Sequence, residues 1–146
     1  MTIHLAYASK DDANHIADIH MAAFADNKML LTQFPAPEIR ERLWHSVARK
    51  TLADIRDPHI AVLVIRDVDL QDSSSERSNI ISYAKWSLPS SSPDNETPWE
   101  WPEGTRLDIL EDLKRRLAEV ERRVLGDDPS YRMRYYPIYD WLYSLI

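Results

Sequence analysis

Few side chains in this sequence can move a proton, and their spacing decides which of them could work together. His20 belongs to the repeat Ala13, Ile16, Ala17, His20, Ala23/Phe24, the apolar stripe of an amphipathic helix. A histidine in that place is either a general base or a hydrogen-bonded core residue. Asp26 stands at the mouth of the loop that follows, where it can act as a general acid/base or cap the loop. His20 and Asp26 are therefore the candidate catalytic residues. His45, after Trp44 at the edge of a second helix stripe, reads as a partly exposed residue. His15 and His20 are about 140° apart around a helix and cannot chelate one ion. With no His-x-x-x-His spacing and no cysteine, no metal site is expected.

Aromatic residues supply the other half of a possible site. Phe34, Tyr83, Trp86, Trp99, Trp101, Tyr131 and Tyr135 are the candidates for the wall of a substrate pocket. Trp99 and Trp101 share one face of the extended Pro98-Trp-Glu-Trp-Pro102, whereas Tyr83 and Trp86 lie on opposite faces of one strand and read equally as core. Gly104 and Gly126 are the only glycines. Loops that cradle phosphates place two or three glycines within a few residues, because the backbone must approach the oxygens closely. This chain cannot build one, so no coenzyme is expected.

The elements that must position these residues centre on a β-hairpin from His59 to Leu88. Ile60-Ala-Val-Leu-Val-Ile65 is a continuous apolar run, as in a strand covered on both faces, so it is placed centrally in a sheet. In Ile80 to Leu88, Ile80, Ser82, Ala84, Trp86 and Leu88 share one face and Ile81, Tyr83, Lys85 and Ser87 the other, so that one side is mixed and can border solvent or a ligand. Before the hairpin, Thr2 to Ala8 reads as a first strand, and Ser9-Lys-Asp-Asp12 offers an N-cap with an acid three residues on. Residues 26 to 37 carry Met29, Leu30, Leu31 and Phe34 with poor helix punctuation; such a stretch must bury or bind something. Pro37 at a first helical position opens the stripe Ile39, Leu43, Trp44, Val47, Ala48, Leu52 and Ile55. After the hairpin, Leu107 to Leu125 reads as a charged helix with a narrow stripe, capped by Gly126. Tyr131 to Tyr135 alternates as a strand, and Ile138, Trp141, Leu142 and Leu145 return to helical spacing. Together these predict an α+β domain over 1–146, a mainly antiparallel sheet of about four strands covered on one side by the first two helices.

Composition narrows the partners. At 146 residues, 44% hydrophobic and 29% charged, the chain is one ordinary domain. Its net charge of -6 opposes nucleic acid and anionic membranes, since no basic patch offsets it. A start without a basic, apolar leader and the absence of a long apolar run lead to the expectation of a cytoplasmic protein, away from membranes.

The order strand, helix, helix, strand, strand, with Asp26-Asn-Lys between the helices and the hairpin Ile60 to Asp67 and Ile80 to Trp86, resembles the N-terminal half of the GNAT acetyltransferases. The likeness is to fungal members, in which Thr97-Pro-Trp-Glu-Trp-Pro-Glu-Gly104 and the following helix look like the insertion before the fourth strand. It covers roughly residues 1 to 136. The resemblance implies a fourth strand followed by a glycine-rich loop that binds acyl-CoA pyrophosphate, but Pro137-Ile-Tyr-Asp-Trp141 stands where that loop belongs. It also puts the strand carrying Tyr83 and Trp86 beside the acceptor pocket. What remains is a truncated GNAT-like domain lacking the coenzyme half.

Three functions compete. One is coenzyme-independent acid/base chemistry of isomerase, cyclase or lyase type on a hydrophobic small molecule, in secondary metabolism. The second is acetyl-CoA-dependent N-acetyl transfer, carried by the resemblance alone and opposed by the missing loop. The third is a non-catalytic binding protein. A homodimer is also expected, because Tyr131 to Tyr136 would be an uncovered sheet edge and the tail 138–146 is too apolar to be solvated, though the tail could instead fold back on its own sheet.

Overall fold

The computed structural model describes residues 2–67, 80–89, 97–126 and 132–133. Strand β1 (Ile3–Tyr7) leads through a 3₁₀ turn (Lys10–Asp12) into α1 (Ala13–Ala23), followed by the short α2 (Lys28–Gln33) and the long α3 (Pro37–Arg56). The hairpin strands β2 (Ile60–Asp67) and β3 (Ile80–Ser87) precede α4 (Leu107–Leu125). β1, β2 and β3 form an antiparallel sheet in that order, with Leu5 opposite Ile65 and Val62 opposite Lys85. The chain is thus of the α+β class. Of the expected fourth strand, the described residues hold a two-residue segment, β4 (Arg132–Met133), paired with Ser87 and Trp86. Tyr131, Tyr135, the segment 137–141 and the tail 138–146, on which the pocket wall, coenzyme-loop and dimer expectations rest, lie outside the described residues.

Helices α1 and α3 pack on each other and cover one face of the sheet. Ile16, Ile60, Val62, Val64, Ile80 and Tyr83 make the core between α1 and the strands; Ala17, Leu30, Phe34, Leu43 and Val47 make a second core among the helices. The entry into α1 is fixed by Asp12, whose carboxylate accepts from the Ser9 backbone at 2.6 Å, the Ser9 hydroxyl at 2.9 Å and Arg66 at 2.7 Å. No helix among the described residues is long and apolar enough to cross a membrane.

Three readings of the sequence change. Residues 28–33 are helical because the Asn27 side chain accepts from the Leu30 amide at 3.0 Å, a cap that alternation and proline spacing did not signal. In β3 the alternation breaks: Arg66 pairs with Ile80 and Ile65 with Ser82, so Ile81 is an extra residue, a bulge that turns Ile80 to the same buried face as Tyr83. That face, with Lys85 and Ser87, points into the helices; the mixed side of the strand is the buried one. Finally β2 is central but covered fully on one face only, with Ala61, Leu63 and Ile65 half-buried on the other.

Candidate functional site

Helical spacing aims His20 at the sheet. Ala13, Ile16, Ala17 and His20 are the buried residues of α1, one stripe that lies on α3 and β3. There His20 Nδ1 shares a 2.6 Å hydrogen bond with the hydroxyl of Tyr83, and its ring lies 4.9 Å from that of Phe24. Burial pushes the imidazole pKa down to about 4, with the positive charge of Lys85 acting in the same direction. His20 is therefore neutral at physiological pH. A neutral imidazole can accept a proton, or donate one from whichever nitrogen carries hydrogen.

Behind His20 lies a buried charge cluster. Lys85 Nζ donates to Thr51 Oγ1 at 2.8 Å and to Asp54 Oδ2 at 3.0 Å, while Lys50 Nζ donates to the other oxygen of Asp54. Two ammonium groups thus share one carboxylate, with all three side chains less than a tenth exposed. Burial pushes the Lys85 pKa down; Asp54 works against that shift and Lys50 with it. The cluster ties β3 to α3 and supplies the positive potential that His20 feels.

In front of His20 is a chamber. Its floor is His20, Leu30, Gln33, Phe34, Leu43 and Val47, and its roof is Trp99, Trp101, Leu110, Leu113, Lys114 and Leu117. The two indoles stack with ring centres 4.8 Å apart, and Trp101 lies 5.9 Å from Phe34. The space left open is about 30 Å³, enough for roughly two waters. Bonds that attach the roof include the Arg106 amide to the Gln33 carbonyl at 2.9 Å, Arg42 to the Glu103 carbonyl at 3.3 Å, and an exposed Arg49–Glu100 ion pair. Gly104, at φ +87°, makes the turn between the indoles and α4, and a Cβ there would sit 2.9 Å from Ile39. No residue of α4 is fully buried. A larger groove of about 440 Å³ beside Lys10, Asn14, Ala48 and Arg49 is more open and borders none of these buried polar groups.

The expected site residues divide accordingly. His20, Phe34, Trp99 and Trp101 line the chamber, and Tyr83 stands behind it as the partner of His20. Asp26 is exposed in the turn before α2 and is not among the lining residues. Trp86 is half-buried on the opposite face of the sheet from Tyr83. His15 bonds the Ile80 carbonyl at 3.1 Å, and among the described residues no three His, Asp or Glu side chains converge as a metal site. Sequence reasoning missed Gln33, a lone amide on the apolar side of α2. Its signal was present: Leu30, Gln33 and Phe34 are spaced i, i+3, i+4 within the stretch that had to bury something. No protein-family model matches the chain, and neither does any curated protein.

Proposed function

We propose that this protein is a small-molecule enzyme that moves a proton on an apolar substrate held between His20 and the Trp99–Trp101 pair, without a coenzyme. The observation that carries the reading is a neutral histidine, 5% exposed and hydrogen-bonded at Nδ1, set in the wall of an apolar chamber. Proton carriers work when their geometry is fixed and their protonation state suits the pH. Tyr83 fixes the ring, and burial keeps it unprotonated. Apart from Gln33 and Lys114 the rest of the lining is hydrocarbon and indole, which favours a hydrophobic substrate and limits water at the reacting atoms.

Substrate must lift the roof, because the open space holds about two waters. The half-buried leucines of α4 and the exposed Arg49–Glu100 pair on the indole segment make that displacement feasible. The strand and helix order of β1, α1, α3, β2 and β3 supports a GNAT-like origin for the domain.

Deuterium wash-in tests the chemistry without knowledge of the natural substrate. A panel of apolar cyclic ketones and enones is incubated with the protein in D2O and followed by proton NMR. The wild type should exchange α-protons of at least one compound, and His20→Gln should cut that rate by about 10²-fold or more with the fold intact. Equal rates in both proteins would reject His20 as the proton carrier, and binding without exchange would make the chamber a binding site only.

A further inference from the structure

One group in the chamber has incomplete bonding. Gln33 is 1% exposed, and among the described residues its side-chain Nε2 has no hydrogen-bond partner. A buried N–H without an acceptor is costly and uncommon in native proteins, so it marks a place where a partner belongs. Gln33 is also held in place, because its backbone carbonyl accepts from the Arg106 amide at 2.9 Å and it closes the α2 helix capped by Asn27. Apart from the ring of His20, the side chains lining the chamber are hydrocarbon, indole or ammonium and offer no acceptor. Among the described residues none offers Nε2 an acceptor, which leaves the position to a bound ligand. An anion would fit poorly: the cation among the lining residues, Lys114, is exposed on the roof, and a carboxylate buried against Leu30, Leu43 and Val47 would lose its hydration unpaired.

We propose that Gln33 Nε2 donates to the oxygen of a neutral, apolar carbonyl compound, a ketone, enone or aldehyde, bound with its α-carbon toward His20. This deepens the proton-transfer reading and rests on it. In the step it implies, the neutral imidazole takes a proton from the α-carbon, the C–H electron pair forms the C=C bond of an enolate, and the carbonyl π pair moves onto oxygen. The Gln33 N–H stabilises that oxygen as its charge grows. Return of the same proton from the imidazolium to another carbon of the conjugated system gives an isomer, with no net change in oxidation state. A base with a pKa of about 4 resembles a carboxylate in strength, and carboxylates of such basicity remove protons α to a carbonyl where donors hold the oxygen.

Paired probes test the assignment. Cyclohexanone and methylenecyclohexane have nearly the same shape, but only the ketone offers an acceptor. Each is titrated into wild type, Gln33→Leu and Gln33→Met, with tryptophan fluorescence as the signal and circular dichroism as the check on folding; the thioether variant keeps the test alive if the leucine variant does not fold. Both variants should bind cyclohexanone about 10-fold more weakly while methylenecyclohexane binding changes by less than about 2-fold. Equal changes for the two probes, unchanged ketone binding, or no binding of either probe would overturn the proposal; unchanged ketone binding would mean that Nε2 is satisfied by water. The two proposals fail separately. Loss of ketone preference in the variants without any His20-dependent deuterium exchange rejects proton transfer alone, whereas exchange that survives in Gln33→Leu rejects the donor alone.

Discussion

His20 Nδ1 lies 2.6 Å from the hydroxyl of Tyr83, a bond that crosses from α1 to β3 inside the core. The pair fixes the ring, and its surroundings set the ring's charge. Protonating His20 in the folded state would bury a cation next to Lys85.

That relationship gives a pH dependence of stability. The folded pKa of about 4 lies below the ordinary value of 6.5, so between these limits the unfolded chain binds more protons than the folded one. Stability associated with His20 is therefore complete above about pH 6.5 and is lost as the pH falls toward 4, by about 3 kcal/mol in all. Urea titrations at pH 7.5 and 4.5 should show the wild type losing about 2–3 kcal/mol more than His20→Gln. Parallel losses in the two proteins would place the proton elsewhere.

Gln33 predicts a conflict between stability and binding. Replacing a buried amide that has an unpaired N–H by leucine removes a desolvation penalty and adds apolar contact, so Gln33→Leu should be more stable than wild type by about 1–2 kcal/mol. The denaturation midpoint measures it directly. A variant destabilised by a similar amount would show that the amide is satisfied in the native protein by a partner that leucine cannot replace.

Asp54 carries two buried ammonium groups, and its removal should be among the most damaging substitutions in the fold. Asp54→Asn leaves Lys50 and Lys85 facing each other without a carboxylate and should cost about 3–5 kcal/mol at pH 7. For Lys85 the folded pKa lies below the ordinary 10.5, so the wild type should gain stability as the pH rises through the folded value toward 10.5. Lys85→Met should lack that gain. Unfolding curves at pH 7 and above pH 9 on the same proteins decide both points.

Much of this arrangement is legible from spacing alone. The stripes of α1 and α3 put His20, Leu43 and Val47 on the buried side, and the apolar run Ile60–Ile65 put β2 at the centre of the sheet. Two physical effects hid the rest. A bulge at Ile81 shifts the face of β3, and pairing register is a property of two strands that neither sequence shows by itself. The role of α2 was hidden because a single Asn27 side-chain bond, with no periodic pattern, starts a six-residue helix and brings Gln33 inward. Asp26 drew notice as a loop carboxylate, but the turn that precedes this cap leaves it in solvent. That Gln33 and His20 line one chamber brings α2 beside α1 and depends on tertiary packing throughout.

The most direct test of the account is whether one ligand touches His20 and Gln33 at the same time. Cyclohexanone is titrated into uniformly 15N-labelled protein, and the His20 ring nitrogens and the Gln33 side-chain amide are followed by NMR. Both sets of resonances should move with one shared dissociation constant, while the ring nitrogens of His45 and His59, exposed away from the chamber, stay in place. Saturable binding that leaves His20 and Gln33 unmoved would contradict the central claim, because the ligand would then occupy some other part of the molecule.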